Sequence, residues 1–237
     1  NKSLLATPPA TTAELQALME GGTPVVISDS CYHVWGFYND FGGKIFDSNW
    51  KVIADQGTGV VDAMTYLNTL YQIEKTNGWP KTDSDGLAPF QEGTVAAITN
   101  GNWAMGDYKT ALGDKLGIAP IPAGPAGVAQ PMLGVDGYYI NPNSANKEAA
   151  IEVALYLTGA SAEKTMMGAG HVPAITTATI TDPLLQGLSD AFKNGYVRPQ
   201  VQQLGLYWSN FCGPDAVYEK GIAPAVWVSQ STANANK

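Results

Sequence analysis

Apolar residues in this chain come in short runs, each soon broken by Gly, Pro, Asn or Thr, and the runs alternate with stretches whose apolar positions recur at helical spacing. A bilayer-crossing helix needs roughly eighteen or more consecutive apolar residues, so no segment reads as one. Strand signals alternating with helix signals argue for α/β layering. With 237 residues, 45% of them hydrophobic, the chain can bury one large core or two small ones. Its 13 Lys and Arg stand against 21 Asp and Glu, a net charge of −8 with no basic run. That surface repels phosphate backbones, which sets nucleic acid aside as a partner. The opening Asn1-Lys2-Ser3-Leu4-Leu5 has no initiating Met and no leader character, so it reads as a processed chain or a piece of a longer one.

The local signals can be placed in order. Thr11-x-x-Glu14 is a capping box for a helix carrying Leu15, Leu18 and Met19 and stopping at Gly21-Gly22. Val25 to Ile27 reads as a strand, residues 28–35 as a polar and aromatic stretch, and residues 39–44 as a turn into a short hairpin. Val61, Met64, Leu67 and Tyr71 give a long helix before Gly78. Thr94 to Ile98 reads as a buried strand ending at Asn100-Gly101, and Gly117 to Ala119 as a short one before the stiff Pro120 to Gly127 loop. Tyr138 to Ile140 reads as a further strand. Ser144 or Asn146 then caps a helix with Ile151, Ala154 and Leu155, Ser161 caps another, and Asp182-Pro183 opens a third with Leu185, Leu188 and Phe192 inward. One or two helices close the chain from Tyr207, and no internal repeat is present.

Signatures of catalysis are missing: there is no phosphate-binding loop, nucleophile elbow, dinucleotide fingerprint or zincin motif. His33 and His171 alone give little material for a triad or a metal site, and His33 reads as a partly exposed loop residue. Asp83, Asp85 and Glu92 match part of a calcium loop, but Lys81 stands at its first ligand position and a solvated turn is the default. No cofactor is expected. Cys31 and Cys212 permit one bridge or none. What stands out is aromatic residues beside turn residues: Tyr32 and Trp35, Trp103 after Asn100-Gly101-Asn102, and Tyr207-Trp208. A flat apolar ring flanked by Asn, Ser or Asp is what a sugar face requires, whereas Trp50, Trp79 and Trp227 read as core.

The segments Pro89 to Ile98, Thr99-Asn-Gly-Asn-Trp-Ala104, Ile118 to Pro125 and Ser144 to Glu152, with the opening through Glu14, occur in order across nearly the whole chain. Together they resemble the family-one extracellular solute-binding proteins of ABC importers, the group that includes the maltodextrin-binding proteins. The resemblance implies a periplasmic-binding-protein-like fold of two α/β lobes closing on a carbohydrate, an extracytoplasmic address in the periplasm or on a surface-anchored lipoprotein, and ABC permease subunits as partners. It also implies no enzymatic activity; the alternative is a glycan-acting enzyme or surface adhesin on the same fold. The cleft aromatics carry over to Tyr32, Trp103 and Trp208, with Trp35, Tyr207, Ser30 and Asn102 completing the ligand-binding set. Ser30 departs from the acidic contact of the maltodextrin proteins, which puts maltose itself in doubt. On the family pattern, residues 1–137 and 184–237 form the C-terminal lobe, and 138–183 are helices of an N-terminal lobe without its sheet. A lost N-terminal region or a separate chain is then expected to cover the apolar face around Ile151 to Met167. Because Cys31 and Cys212 both flank cleft segments, one disulfide is expected between them, against the alternative of two free thiols.

Overall fold

Thr11 starts the first helix as its spacing requires. Its hydroxyl accepts from the Glu14 N–H at 3.2 Å while the Glu14 carboxylate accepts from the Thr11 N–H at 3.3 Å, closing the capping box over α1 (Thr12–Glu20). The computed structural model describes residues 1–80 and 83–237, with side chains for all of these except 83–86. After α1 the order is β1 (Val25–Val26), α2 (Cys31–Asp40), α3 (Gly59–Asn77), α4 (Asp83–Gln91), β2 (Ala97–Ile98), α5 (Met105–Leu112) and β3 (Met132–Leu133). Then come α6 (Lys147–Leu157), α7 (Ala160–Gly168), α8 (Pro183–Phe192), β4 (Tyr196–Val197), α9 (Leu204–Phe211), α10 (Asp215–Tyr218) and α11 (Pro224–Ala235). The α/β order is kept with very short strands: β1 pairs parallel with β2 and β3 parallel with β4.

Several readings of the sequence differ from this structure. Residues 31–40 are a helix rather than irregular chain, because Ser30 caps it and Val34, Phe37 and Tyr38 then turn onto one buried side. Neither Gly117 to Ala119 nor Tyr138 to Ile140 is a strand. Tyr139 is 90% exposed with no ladder partner among the described residues, and an extended segment without a neighbouring strand has nothing to hold it. Of the calcium loop, Lys81 lies outside the described residues, and Asp83 to Gln91 is helical rather than looped. Ser161 does not cap α7, which begins at Ala160 after Gly159 with no side-chain cap, and Asn146 precedes α6 without a side-chain cap bond. The hairpin is reduced to a single antiparallel bridge, Phe46 to Val52. Helix α3 ends at Gly78, whose φ of 68° is the left-handed cap glycine adopts without strain. Asp182 caps α8 through the N–H groups of Leu184 and Leu185.

The largest core lies where α1, α2, α3, α9 and α11 meet β1. Met19, Phe37, Leu70, Tyr207, Phe211 and Val228 are all at most 1% exposed. A second cluster, around Val26, Phe90, Tyr108 and Leu116, seats α4 and α5 on the other side of β1 and β2. A third packs Met105 against Leu185 and Leu188. Helices α6 and α7 bury no residue at all, and Val153, Leu155 and Tyr156 on α6 are exposed. Five large apolar side chains exposed on one helical hairpin, Ile151, Val153, Leu155, Tyr156 and Met166, make a surface suited to contact.

A disulfide joins Cys31, the first residue of α2, to Cys212, just past the end of α9, with Cα atoms 4.9 Å apart across 181 residues of sequence. In the chain-entropy picture, closing so long a loop removes roughly 5 kcal/mol of disorder from the unfolded chain. The same core also encloses two carboxyls. Asp40 has no hydrogen-bond partner for either oxygen among the described residues, and Glu74 has one only for Oε1, from the Ile27 N–H at 2.9 Å. Burial pushes both up to about 8.

Two outcomes follow from these observations. Thiol labelling of denatured, unreduced protein should find no free cysteine, and the Cys31→Ser/Cys212→Ser double variant should lose about 2–5 kcal/mol in denaturant unfolding. Titratable stability should also run opposite to the usual carboxylate case. The folded chain keeps protons on Asp40 and Glu74 up to about pH 8, whereas the unfolded chain releases them near their ordinary values of 3.8 and 4.5. Their contribution is therefore complete below pH 4 and is lost as the pH rises to 8, by as much as about 1.4 kcal/mol per unit for each group. Unfolding midpoints measured from pH 5 to 8.5 should fall, and Asp40→Asn with Glu74→Gln should flatten that fall; a slope unchanged in the double variant contradicts the assignment.

Candidate functional site

The two strands of the first sheet run parallel in register, Val25 opposite Ala97 and Val26 opposite Ile98, so their carboxyl ends open side by side. The loops that follow, 27–31 and 99–103, emerge on one edge, which is where parallel α/β sheets present ligand contacts. They are stitched together: the Ser28 N–H donates to Thr99 Oγ1 at 2.7 Å, and the Ser30 N–H donates to Ser28 Oγ at 3.2 Å. Below them, the Glu74 carboxyl accepts the Ile27 N–H and fixes where β1 ends.

Three of the aromatic residues singled out from the sequence come together at this edge. Trp103 stands on the one-turn 3₁₀ helix Asn102–Ala104 and is 63% exposed. Its ring centroid lies 6.0 Å from that of Tyr32, on the first turn of α2, in an edge-on arrangement. Tyr32 is in turn stacked at 6.4 Å and 15° on Trp208 of α9. His33 completes the group, stacked on Trp103 at 5.6 Å and 22° with its Nδ1 2.7 Å from Ser28 Oγ. From the sequence His33 reads as a loop histidine in preference to a ligand donor; helical spacing after a Ser30 cap is the signal that sets Tyr32 and His33 side by side.

Trp35 and Tyr207 do not join them. Trp35 is 7% exposed and meets Tyr207 edge-on at 4.8 Å within the main core. Tyr207 is fully buried, and its hydroxyl donates to the Cys31 carbonyl at 2.6 Å. Successive helical residues point about 100° apart, so on α9 Trp208 can face outward only if Tyr207 faces in. The Ser30 hydroxyl is engaged as the α2 cap, accepting from the Tyr32 N–H at 3.4 Å, while Asn102 is half-buried beside Trp103. Trp227 is buried and Trp79 packs on the core as expected, while Trp50 is half-buried with its ring against Phe46.

In front of these loops lies a cavity of about 990 Å³, at the upper end of the range for small-molecule sites. Tyr32, His33, Asn102, Trp103, Ile121, Met132 and Leu133 are among the residues that line it. Glu163 and His171, from the segment that carries α6 and α7, with Asp136 before that segment and Arg198 after it, add charged and polar groups to the lining. Trp208 is not among the lining residues and adjoins them through its stack on Tyr32. Among the described residues no three His, Cys, Asp or Glu gather as metal ligands, and no helix is long and apolar enough to cross a membrane.

Comparison with known proteins gives this geometry a context. The family described as bacterial extracellular solute-binding protein matches residues 1–191. A maltooligosaccharide ABC transporter solute-binding lipoprotein of Streptococcus pneumoniae is 27% identical over 237 residues, covering 88% of this chain and 55% of that protein. A maltotriose-binding protein of Pyrococcus abyssi is 25% identical over 241 residues, covering 90% of this chain and 50% of that protein. The chain thus spans about half the length of the curated relatives it matches. In fold it is similar to the maltose/maltodextrin-binding domain MalE from Bdellovibrio bacteriovorus, solved with maltotriose, at a TM-score of 0.80 and 23% identity over 99% of this chain and 68% of that one. The maltose-maltodextrin binding protein of Alicyclobacillus acidocaldarius gives a TM-score of 0.83 and 21% identity over 100% of this chain and 68% of that one.

Proposed function

The chain belongs to the bacterial extracellular solute-binding proteins, and we propose that it carries the aromatic half of a carbohydrate site in an extracytoplasmic receptor that delivers its ligand to an ABC permease. The observation that carries this reading is an exposed Trp103 held in a group with Tyr32, His33 and Trp208 at the rim of a large cavity. Pyranose rings present C–H faces to such platforms, while Asn102 and the charged groups of the same lining can take up hydroxyls. The ligands for which these relatives are named, maltooligosaccharide and maltotriose, make gluco-oligosaccharides the first class to test. Those relatives are binding proteins, and the enzyme or adhesin alternative draws no support from them.

In this reading residues 1–137 and 184–237 belong to one lobe, and residues 138–183 to the helical part of a second. The unburied face of α6 and the partial coverage of the relatives both support that division. The comparisons lend no support to a separate chain as the source of the remaining lobe. The Cys31–Cys212 bridge suits an oxidising, extracytoplasmic compartment.

The test is titration calorimetry of the full-length protein against a panel of linear gluco-oligosaccharides. Removing an anchoring ring from a binding hot spot costs about 2 kcal/mol, so Trp103→Ala should weaken the cognate sugar roughly thirtyfold, and Trp208→Ala should weaken it in the same direction. Trp227→Ala should lower stability and leave affinity within a factor of two. Folded Trp103→Ala and Trp208→Ala variants that bind as tightly as the parent would falsify the site.

A further inference from the structure

Trp103 poses a physical problem that its neighbours solve. A ring 63% exposed has no core to hold it, and an indole on a short surface turn would ordinarily distribute over several rotamers. Two residues that line the same cavity limit that freedom. The first is Gly101. A Cβ built there would overlap the Cη2, Cζ3 and Cε3 atoms of the Trp103 ring, and these are the nearest atoms it would meet. The ring therefore lies folded back across the bare Cα of Gly101. The backbone itself does not demand glycine, since φ is −90° and ψ 168°, an extended conformation open to any residue. What requires glycine at this position is the indole.

The second residue is His33. Its imidazole is stacked on the indole at 5.6 Å and 22°. That imidazole is itself anchored, with Nδ1 2.7 Å from the Oγ of Ser28, a residue only 1% exposed whose N–H donates to Thr99 Oγ1 at 2.7 Å. A polar chain thus runs from the β2 end through Thr99 and Ser28 to the His33 ring, and the last link in it is an aromatic face against Trp103.

We propose that Gly101 and His33 are positioning residues for Trp103, Gly101 by leaving room for the ring to lie down and His33 by stacking on it, so that the indole is already oriented before any ligand arrives. The ligand part of this statement rests on the carbohydrate reading; the ring placement does not. A pre-oriented ring spares the complex the cost of ordering it, which is how a rigid aromatic contributes to affinity beyond its contact area.

The experiment has one arm that needs no ligand. Near-ultraviolet circular dichroism of the full-length parent minus that of Trp103→Phe isolates the Trp103 band. Gly101→Ala should abolish that band, since its Cβ evicts the ring, while the unfolding temperature stays the same or rises, as expected for alanine at a permissive backbone position. His33→Ala should weaken the band, and His33→Phe, which keeps a flat ring without the imidazole nitrogens, should restore much of it. The second arm is calorimetry with maltotriose, where Gly101→Ala should weaken binding about tenfold, His33→Ala should weaken it by less, and His33→Phe should recover part of the loss. A Trp103 band unchanged in both Gly101→Ala and His33→Ala overturns the proposal. Unchanged maltotriose affinity in Gly101→Ala, where Trp103→Ala does weaken it, overturns the positioning role alone. Unchanged affinity in Trp103→Ala overturns the carbohydrate site, and the band measurements then still decide whether the ring is held as described.

Discussion

The parallel pairing of Val25–Val26 with Ala97–Ile98 determines where chemistry can occur in this chain. Parallel strands cannot be joined by a tight turn, so some seventy residues, including α2, α3 and α4, pass between them and pack on either side. In return both strands release their loops at the same edge. The first loop delivers the Ser30 cap and therefore Tyr32 and His33; the second delivers Asn100, Gly101 and Trp103. Ser28 and Thr99 then tie the loops to each other through the Ser28 N–H and the Thr99 hydroxyl.

Trp208 joins that group by a different route, through helix packing. Helices α2 and α9 are held together at their ends by the Cys31–Cys212 bond and by the Tyr207 hydroxyl on the Cys31 carbonyl. Tyr207 points in and supplies the core contact, and as a result Trp208 points out and meets Tyr32. The disulfide and the buried tyrosine thus have a double effect. They stabilise the main core, and they hold the outer ring in register with the inner two.

What was legible in the sequence was local. The Thr11–Glu14 box, Gly78 after α3 and Asp182-Pro183 before α8 are decided by side chains a few residues apart, and each element begins or ends where those residues say. The grouping of Tyr32, Trp103 and Trp208 came from a resemblance in motif order, and the structure brings the three rings together. What was not legible depended on direction and partnership. Cys31 to Asp40 is rich in aromatic residues with weak helix propensity, so its helical character is set by Ser30 and by the core it faces rather than by composition. Only with that stretch helical does Trp35 lie a turn deeper than Tyr32, where it is lost to the core. Tyr138 to Ile140 has the composition of a strand, but strand formation needs a neighbour that local sequence does not carry.

The same contrast between local and long-range control bears on how such a site works. Its aromatic groups stand where strand ends, a buried carboxyl and a disulfide converge. Glu163 and His171 of the same lining come from the segment whose helices α6 and α7 bury no residue. A ligand in the cavity would meet an apolar platform packed on the core and polar groups from a segment with no buried helical residue. Contacts to the packed platform incur the lower ordering cost, whereas contacts to the α6–α7 segment gain most when that segment is itself held in place. On the two-lobe reading, that division assigns ring recognition to the Tyr32–Trp103 edge and makes the hydrogen bonding of hydroxyls depend on closure.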